Sequence, residues 1–219
     1  MKKIFLGPPG SGKGTAASRV APKFGIPHIS TGELFRQNIE QATEIGQKAK
    51  EFMDKGLLVP DEIVIEMLKQ RIEQEDCKKG FILDGFPRTI PQAEQLSEIT
   101  EMDLIINMDV TEEVIIERLC SRICCSKCGK IYNLRGMNPK QEGVCDDCEG
   151  EIIQRDDDKP KVIQERLRVY RENTEPLIDF YKNKGNIIDI VCANPEQTPD
   201  ETFQEVINAI NKFLEEKAN

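Results

Sequence analysis

This chain of 219 residues has no long apolar run, no excess of basic charge and only one histidine. The longest apolar run near its start is Ile4–Leu6, far shorter than the core of a signal peptide, and no stretch approaches the roughly 20 apolar residues of a membrane span. Its 39 acidic and 30 basic side chains give a net charge of −9, which provides no basic footprint for duplex nucleic acid. We therefore expect a cytoplasmic protein that has neither a membrane nor a nucleic acid as a partner. We also expect it to be a monomer.

Strands alternate with helices along most of the chain. Apolar runs predict strands at 2–6, 27–30, 80–83, 104–108 and 186–191, and helical spacing follows them, first at 13–24. A last helix is predicted after Thr198, where a capping residue, a first-turn proline and a capping-box glutamate coincide. This alternation is typical of an α/β fold in which helices wrap both faces of a parallel sheet.

Two segments interrupt the alternation, and we interpret both as insertions in a core α/β domain. The segment Thr31–Val59 is polar, and its helical spacing breaks near Thr43 and Gly46, which predicts two short helices. In the segment Arg122–Lys159, cysteines, glycines and charges replace any periodicity.

The most specific motif is a glycine-rich turn between the first strand and the first helix, Gly-Pro-Pro-Gly-Ser-Gly-Lys-Gly-Thr over 7–15. Such a turn points backbone N–H groups at phosphate oxygens, and Lys13 can reach the β- and γ-phosphates. The hydroxyl that usually follows the lysine comes one position late, at Thr15, because Gly14 intervenes. The motif predicts nucleotide binding. The segment Asn183–Asn186 lacks the aspartate that guanine recognition requires, which argues against a regulatory GTPase.

A second motif, Asp-Gly-Phe-Pro-Arg over 84–88, follows the predicted strand 80–83. Ligands bind at the carboxyl ends of parallel strands, so Asp84 stands where it can organise Mg²⁺. It would do so through water, since that ion loses its hydration reluctantly. Arg88 offers a planar fork that suits phosphate oxygens. This motif indicates a site for a second phosphate-bearing substrate.

Together with Ser-Thr-Gly-Glu-Leu-Phe-Arg over 30–36, these motifs make the chain resemble the adenylate kinases over essentially its whole length. The displaced Thr15 is what nucleoside monophosphate kinases show. The resemblance implies reversible transfer of the γ-phosphoryl group of Mg-ATP to AMP, giving two ADP and serving adenine nucleotide homeostasis. It also implies three units: a P-loop core (1–29, 60–121 and 160–219), an AMP-binding domain (30–59) and a lid (122–159).

The resemblance carries the residues of both nucleotide sites over by position. Those implied for ATP are Gly10, Ser11, Gly12, Lys13, Gly14, Thr15, Arg118, Arg122, Ile131 and Tyr132. Those implied for AMP are Thr31, Arg36, Met53, Leu57, Leu58, Val59, Gly85, Phe86, Pro87, Arg88, Gln92, Arg155 and Arg166. The implied catalytic residues are Lys13, Arg88, Arg122, Arg155 and Arg166. A backbone carbonyl within 192–199 is expected to meet the ATP base.

The arginines fit phosphoryl transfer, which requires alignment and spread-out positive charge more than covalent work by the protein. Arg118 and Arg122 are four residues apart, so a helix would place both on one face. The resemblance assigns these two to the ATP phosphates, and it assigns Asp157 and Asp158 to ordering the closed state. The family often shows Gly-Arg-Arg where this chain has Ser121–Ile123, so one arginine is missing. No general base is assigned, because the attacking AMP oxygen is already anionic.

Four of the eight cysteines have the spacing of a structural zinc site. Cys125 and Cys128 form one C-x₂-C pair, and after sixteen residues Cys145 and Cys148 form another. Four thiolates close a tetrahedron with no open position, so we expect zinc to fold the lid rather than to catalyse. The neighbouring Cys124 leaves a C-x₃-C alternative open. The cysteines expected to pack as small apolar groups are Cys77, Cys120 and Cys192.

Two other functions stay open from the sequence. The first is a nucleoside monophosphate kinase that accepts UMP or CMP, since base choice rests on the resemblance. The second is a zinc-ribbon module for nucleic acid, against which Tyr132 stands as the only aromatic residue among the ribbon's basic charges. The single histidine, His28, lacks the glutamate two positions later that zinc deaminases use, so we expect it only to pack.

Overall fold

The computed structural model describes residues 1–192, 194 and 197–218. Its strands are β1 (Lys3–Leu6), β2 (His28–Ser30), β3 (Ile82–Asp84), β4 (Leu104–Asp109), β5 (Arg122–Cys125), β6 (Ile131–Asn133), β7 (Ile152–Ile153) and β8 (Ile187–Val191). Its α-helices are α1 (Lys13–Phe24), α2 (Thr31–Glu40), α3 (Glu44–Met53), α4 (Asp61–Ile72), α5 (Ile90–Ile99), α6 (Glu112–Cys120), α7 (Pro160–Val169), α8 (Pro176–Lys182) and α9 (Pro199–Ala218). A π-helical turn, Tyr170–Thr174, joins α7 to α8. In the part of the chain that is described, no helix is both long and apolar enough to cross a membrane.

Five strands form one parallel sheet in the order β2-β3-β1-β4-β8. Phe5 of β1 and Ser30 of β2 both pair with Asp84 of β3. The carboxyl ends of these three strands therefore meet at one edge, where the glycine-rich turn, the start of α2 and Asp84 lie together. The predicted α/β fold with a parallel sheet is confirmed.

Apolar side chains alternate between the two faces of the sheet, and each face has its own core. Phe5, Ile82 and Ile106 are buried in a cluster with residues of α1, α6 and α9. Ile4 and Leu83, on the opposite face, are buried in a cluster with residues of α4, α5 and α8. A sheet covered in this way has near-continuous apolar strands, which is why short apolar runs predicted them.

The segment 31–59 forms the two short helices that were predicted, α2 and α3. The interruption expected near Thr43 lies at 41–43 and does not extend to Gly46. Gly46 instead lies in the first turn of α3, where a Cβ would come within 2.1 Å of the Asn38 carbonyl oxygen. Because Gly46 has no side chain, α3 can approach the end of α2 closely.

The segment 122–159 contains a three-stranded antiparallel sheet in the order β6-β5-β7. Ile123 pairs with Tyr132, and Cys124 pairs with Ile153. The expectation that Arg118 and Arg122 share a helix face is wrong, because α6 ends at Cys120 and Arg122 begins β5. Cross-strand pairing with residues far along the chain stops the helix there.

The cysteines outside the predicted metal site divide differently from what was expected. Cys77 and Cys192 are buried, as small apolar groups are. Cys120 is exposed at the end of α6, so the expectation that it packs in the interior is wrong.

Candidate functional site

The glycine-rich turn wraps around the N-terminus of α1. Gly10 and Gly12 have φ angles of 81° and 89°, which favour glycine. A Cβ on Gly10 would also come within 2.7 Å of the Leu119 side chain, so the turn can approach α6 only without one. Arg118 lies beside it, and its Nη1 donates to the Ser11 carbonyl 3.3 Å away. The turn is therefore fixed from outside, which leaves the N-terminus of α1 available for an anion.

Lys13 lies inside the curve of this turn. Its Nζ donates to the Pro8 carbonyl over 3.0 Å. Burial lowers the pKa of the Lys13 ammonium to about 8, since the nearby Asp84 carboxylate only partly offsets the lost hydration and Arg88 repels it. A phosphate bound here would bring the negative charge that this ammonium lacks.

Asp84 faces the same turn from the end of β3. A Cβ on Gly14 would lie 3.0 Å from Asp84 Oδ2, so the glycine that displaces the usual hydroxyl makes room for the carboxylate. His28 Nε2 lies 3.5 Å from the same oxygen. Burial raises the pKa of Asp84, but His28 and the Lys13 ammonium outweigh it and hold the pKa below its ordinary value. The carboxylate is therefore ionised beside the turn, as a group that organises a hydrated cation must be.

A pocket opens between α2, α3 and the turn after β3. It is lined by ten of the thirteen residues expected for AMP, namely Thr31, Arg36, Met53, Leu57, Leu58, Val59, Gly85, Arg88, Gln92 and Arg166. Phe86 is fully buried in the apolar core instead, and Pro87 lines a neighbouring pocket. Arg155 lines neither of these two pockets.

Several groups fix Arg88 in this pocket. Its Nε donates to the Gly85 carbonyl over 2.7 Å, and its backbone N–H donates to Gln92 Oε1 over 2.7 Å. Thr31 donates to the same Gly85 carbonyl, and the Thr174 hydroxyl donates to the Arg88 carbonyl over 2.8 Å. Burial lowers the pKa of the Arg88 guanidinium, against the attraction of two carboxylates. A guanidinium held this firmly presents its remaining N–H groups in one fixed direction.

The neighbouring pocket contains the glycine-rich turn. It is lined by Gly7, Pro9 and Lys13 on one side and by Tyr170 and Thr174 of the π-helical turn on another. The two pockets share Gly56, Leu58, Gly85, Arg88 and Arg166. Two anions, one in each pocket, would therefore meet at Arg88 and Arg166.

Acidic residues of the segment 122–159 hold the arginines that face this meeting point. Arg122 Nε donates to Asp158 Oδ2 over 2.7 Å. Arg166 Nη1 lies 3.0 Å from Asp157 Oδ2 and 3.1 Å from Asp158 Oδ1. Asp158 is only 1% exposed, so its charge is balanced almost entirely by arginine. Burial lowers the pKa of Arg166, with the attraction of Asp157 opposing it.

The segments 31–59 and 122–159 contact each other above the pockets. A Cβ on Gly129 would lie 3.1 Å from Glu33 Oε1, which places the first C-x₂-C turn against α2. Burial lowers the pKa of the Arg36 guanidinium to about 10, and repulsion by Arg155 adds to this effect. The Asp157 carboxylate attracts the guanidinium and opposes the shift. The two insertions therefore meet beside the pockets.

Four sulfurs come together in the segment 122–159. The Sγ atoms of Cys125, Cys128, Cys145 and Cys148 all lie within 4.8 Å of one another. A metal bound by four thiolates at about 2.3 Å has this compactness. Cys125 Sγ also accepts the backbone N–H groups of Lys127 and Cys128 at 3.3 and 3.4 Å. This set can hold a metal ion.

Cys124 points away from those sulfurs. Its Sγ lies 3.4 Å from Arg155 Nε, which donates to it. Of the two neighbouring cysteines, the structure therefore favours Cys125 as the ligand. A Cβ on Gly150 would lie 2.7 Å from Cys125 Sγ, so glycine is needed there for the second turn to approach.

The two residues expected beside ATP in β6 have different surroundings. Tyr132 is 1% exposed, and its ring packs with Cys125 and Cys145 in the interior of the segment. Its side chain cannot face a nucleotide, which leaves only its backbone for that purpose. Ile131 is half-buried and pairs with Cys124. Residues 193, 195 and 196 of the segment expected to meet the base lie outside the described residues.

Sequence reasoning missed three residues at the site. His28 lies beside Asp84 rather than only packing, and Thr174 holds the Arg88 backbone. Asp61 accepts from Gln92 Nε2 over 2.5 Å. The position of Asp61 at the start of a helix hid its role, since acidic residues are common there. No motif marked the other two.

The chain is similar to known proteins over almost its whole length. The family model described as "Adenylate kinase" matches residues 5–186. A curated adenylate kinase of Acetivibrio thermocellus is 50% identical over 216 residues, which cover 96% of this chain and 98% of its own. One of Archaeoglobus fulgidus is 54% identical over 195 residues, with 87% and 90% covered. One of Clostridium tetani is 47% identical over 216 residues, with 96% and 100% covered.

Proposed function

The chain belongs to the adenylate kinase family, and from this premise we propose which of its residues carry out the reaction. The protein is a kinase that transfers the γ-phosphoryl group of ATP to AMP reversibly, so that one ATP and one AMP give two ADP. The observation that carries the assignment of residues is the meeting of two pockets at Arg88 and Arg166. A group that passes between two bound phosphates must cross that point.

ATP binds with its phosphates in the glycine-rich turn. Residues 10–15, which include Lys13, hold the phosphate oxygens. Arg118 of α6 and Arg122 of β5 add positive charge. The lowered pKa of Lys13, to about 8, supports this role, because the ammonium lacks a full counter-charge until phosphate arrives. Ile131 and Tyr132 contact the base side of ATP through their backbone.

AMP binds in the pocket between α2, α3 and the turn after β3. Arg36 and Arg88 hold its phosphate, Thr31 and Gln92 lie beside the nucleoside, and 57–59 form the wall. Pro87 and Phe86 shape the turn that carries Arg88. Arg155 and Arg166 reach from the other side to AMP and to the transferred group.

The transfer itself needs no general base. The attacking oxygen of AMP is anionic, so the protein's work is to align it with the γ-phosphorus and to spread positive charge around the transferred group. Lys13, Arg88, Arg122, Arg155 and Arg166 provide that charge. Water excluded by the two covering segments cannot compete with AMP as acceptor.

Asp84 organises Mg²⁺ on the ATP phosphates through water. The fit is supported by an ionised carboxylate that faces the turn across Gly14. When bound, Mg²⁺ neutralises charge that develops on the phosphate oxygens. Before Mg²⁺ binds, His28 and Lys13 keep the Asp84 carboxylate ionised beside the turn.

Three units divide these tasks: a core (1–29, 60–121 and 160–219), an AMP-binding domain (30–59) and a lid (122–159).

The four clustered sulfurs of the lid hold structural Zn²⁺, because thiolates prefer that ion and leave it no open position. Zinc supplies folding energy to the lid and takes no part in the transfer. The working protein is a monomer.

Product analysis tests the proposal. Purified protein is incubated with Mg-ATP and, separately, AMP, CMP, UMP, GMP or no acceptor, and the nucleotides are separated by chromatography. We expect rapid ADP formation with AMP and almost none without an acceptor. Equal phosphorylation of CMP or UMP would overturn the choice of base, and hydrolysis without acceptor would overturn the water-excluding lid.

Lys13→Ala sharpens the test of the ATP site. We expect loss of most turnover with normal folding, because the γ-phosphate loses its only lysine contact in the turn. Lys23→Ala in the same helix is the control, since Lys23 is exposed and outside both pockets. Near-full activity of Lys13→Ala would refute the role given to Lys13.

A further inference from the structure

The hydroxyl of Tyr132 lies inside the lid, next to a cysteine of the sulfur cluster. Tyr132 belongs to β6 and is 1% exposed. Its oxygen accepts the backbone N–H of Asp146 over 2.8 Å, and it donates its single proton to Cys145 Sγ 3.5 Å away. Among the described residues, it is the only hydroxyl in hydrogen-bond contact with any of the four clustered sulfurs.

That contact joins two parts of the lid that the backbone does not join directly. Cys145 and Asp146 belong to the second C-x₂-C turn, whereas Tyr132 pairs with Ile123 of the central strand. One phenol oxygen therefore fixes the second turn to the sheet at two consecutive residues. The backbone N–H donors found at Cys125 belong to the first turn itself and make no such connection.

The chemistry of a four-thiolate site gives the hydroxyl a function. Four thiolates around a divalent cation leave a net charge of −2. The side of the site that packs against Tyr132 is buried, since Cys125 and Cys145 are 2% and 1% exposed, whereas Cys128 is exposed. Hydrogen-bond donors to metal-bound sulfur stabilise such charge and orient the ligand. A donor also makes the sulfur a weaker target for the protons that release the metal.

We propose that Tyr132 is a positioning residue of the metal site, whose hydroxyl donates to the Cys145 thiolate and slows release of the metal. The proposal rests on the binding of zinc put forward above. It also gives a reason for the buried side chain of a residue that the resemblance implies at the ATP site: the phenol holds the metal turn, and only the backbone is left for the nucleotide. Metal binding and the position of the ATP-facing strand are thereby coupled through one side chain.

The chain provides a matched control in Tyr181 of α8. Tyr181 is 3% exposed, and its hydroxyl is buried with no hydrogen-bond partner among the described residues. Tyr181→Phe therefore removes a buried phenol oxygen that touches neither metal nor ligand. Tyr132→Phe removes one that does, and it keeps the packed ring.

The experiment measures metal release from the full-length protein. Wild type, Tyr132→Phe and Tyr181→Phe are loaded with Zn²⁺, and its transfer to a chromogenic chelator is followed in time. We expect one Zn²⁺ per chain in all three, with release from Tyr132→Phe about 10- to 100-fold faster. Tyr181→Phe should match wild type. The same proteins loaded with Co²⁺ should show a shifted sulfur-to-metal charge-transfer band for Tyr132→Phe only.

The outcomes separate this inference from the one on which it rests. Wild type without bound zinc would overturn both. Stoichiometric zinc in wild type, with equal release rates and equal Co²⁺ spectra in Tyr132→Phe, would overturn the role of Tyr132 alone.

If Tyr132→Phe does not fold, wild-type protein loaded with ¹¹³Cd answers the question by NMR. A slowly exchanging Tyr132 hydroxyl proton coupled to cadmium would support the contact. Its absence would contradict it.

Discussion

The two insertions cover the same cleft, yet they are stabilised in different ways. The proposed AMP-binding domain, residues 30–59, buries Phe35, Ala49 and Val59 in the large apolar cluster on one face of the sheet. The proposed lid, residues 122–159, has a separate cluster whose buried members are Cys125, Tyr132 and Cys145. Two of those three are metal-ligand candidates. One insertion shares the core of its host, and the other has almost no apolar core of its own.

The difference shows what a short insertion needs in order to fold. A segment of this size cannot bury enough apolar surface to offset the entropy of ordering its chain. It can pack on the existing core, as α2 and α3 do, or it can use a cross-link, as a bound metal provides. The first solution ties the insertion to global stability, and the second makes it an independent unit.

The largest effect is expected from Cys145→Ala. Structural zinc contributes about 10–16 kcal/mol of apparent binding free energy in small metal-folded units, so its loss should lower the temperature at which the lid unfolds. The core and the AMP-binding domain should stay folded at low temperature, with proteolysis confined to 122–159. Heat stability should fall more than catalysis at low temperature. Elemental analysis and limited proteolysis measure this.

Cys120→Ala is the control for that experiment, because Cys120 is exposed and lies outside the cluster. It should keep its metal and its protease resistance. Unchanged metal content in Cys145→Ala would show that Cys145 is not a metal ligand.

Phe35→Ala should have the next largest effect and should act on the whole protein. Phe35 is 5% exposed in the core that α2 shares with the sheet. Truncating a buried phenylalanine costs about 3–5 kcal/mol, which in a chain of this size lowers Tm by about 10 °C. Calorimetry should show one lowered transition rather than separate melting of the AMP-binding domain.

Leu134→Ala in the lid is the matched comparison, since Leu134 is 58% exposed. Its Tm should equal that of wild type. A separate early transition in Phe35→Ala would show that the AMP-binding domain unfolds by itself and does not share the stability of the core.

Asp157→Asn should have an intermediate effect, confined to the contact between the insertions. Arg166, Arg122 and Arg155 surround Asp157 and outweigh its burial, so the pKa of the carboxyl is below its ordinary value. Neutralising it should cost about 1–3 kcal/mol of the closed arrangement and raise KM for AMP. Distance measurements between labels on α3 and the lid would report the opening.

The same carboxylate sets a pH dependence. Because its pKa is lowered in the folded state, its contribution is complete above the ordinary value near 4 and is lost as the pH falls through the lowered pKa. Closure should therefore not vary with this group between pH 5 and 8. Asp147→Asn, which is exposed and pairs with Lys130, should leave closure unchanged. Opening of the lid at pH 6 in wild type would contradict the assignment.

The smallest effect is expected from Lys48→Ala on the outer face of α3. Lys48 pairs with Glu44 one turn earlier over 2.7 Å, and both side chains are exposed. Surface pairs of this kind contribute little to stability. Tm and activity should both match wild type, and a measurable loss of either would show that the outer face of the AMP-binding domain has a further contact.

The sequence by itself determined the features that rest on local pattern. The glycine-rich turn with Lys13, the strand that ends at Asp84 and the two C-x₂-C pairs each follow from spacing within a few residues. The bounds of α1 and the capping box at Thr198 follow from the same kind of rule. Such patterns are reliable because backbone hydrogen bonding and ligand geometry constrain neighbouring residues directly.

Only the tertiary structure decided the rest. Arg122 leaves the helix of Arg118 because β5 is paired with strands several residues to nearly thirty residues further along the chain. Gly46 lies where α3 closely approaches the end of α2, and it does not interrupt the helix. His28 acquires Asp84 as a neighbour, and Tyr132 acquires Cys145, only when distant strands come together. Burial and side-chain partners are set by packing between distant segments, and local spacing carries no information about which segments will meet.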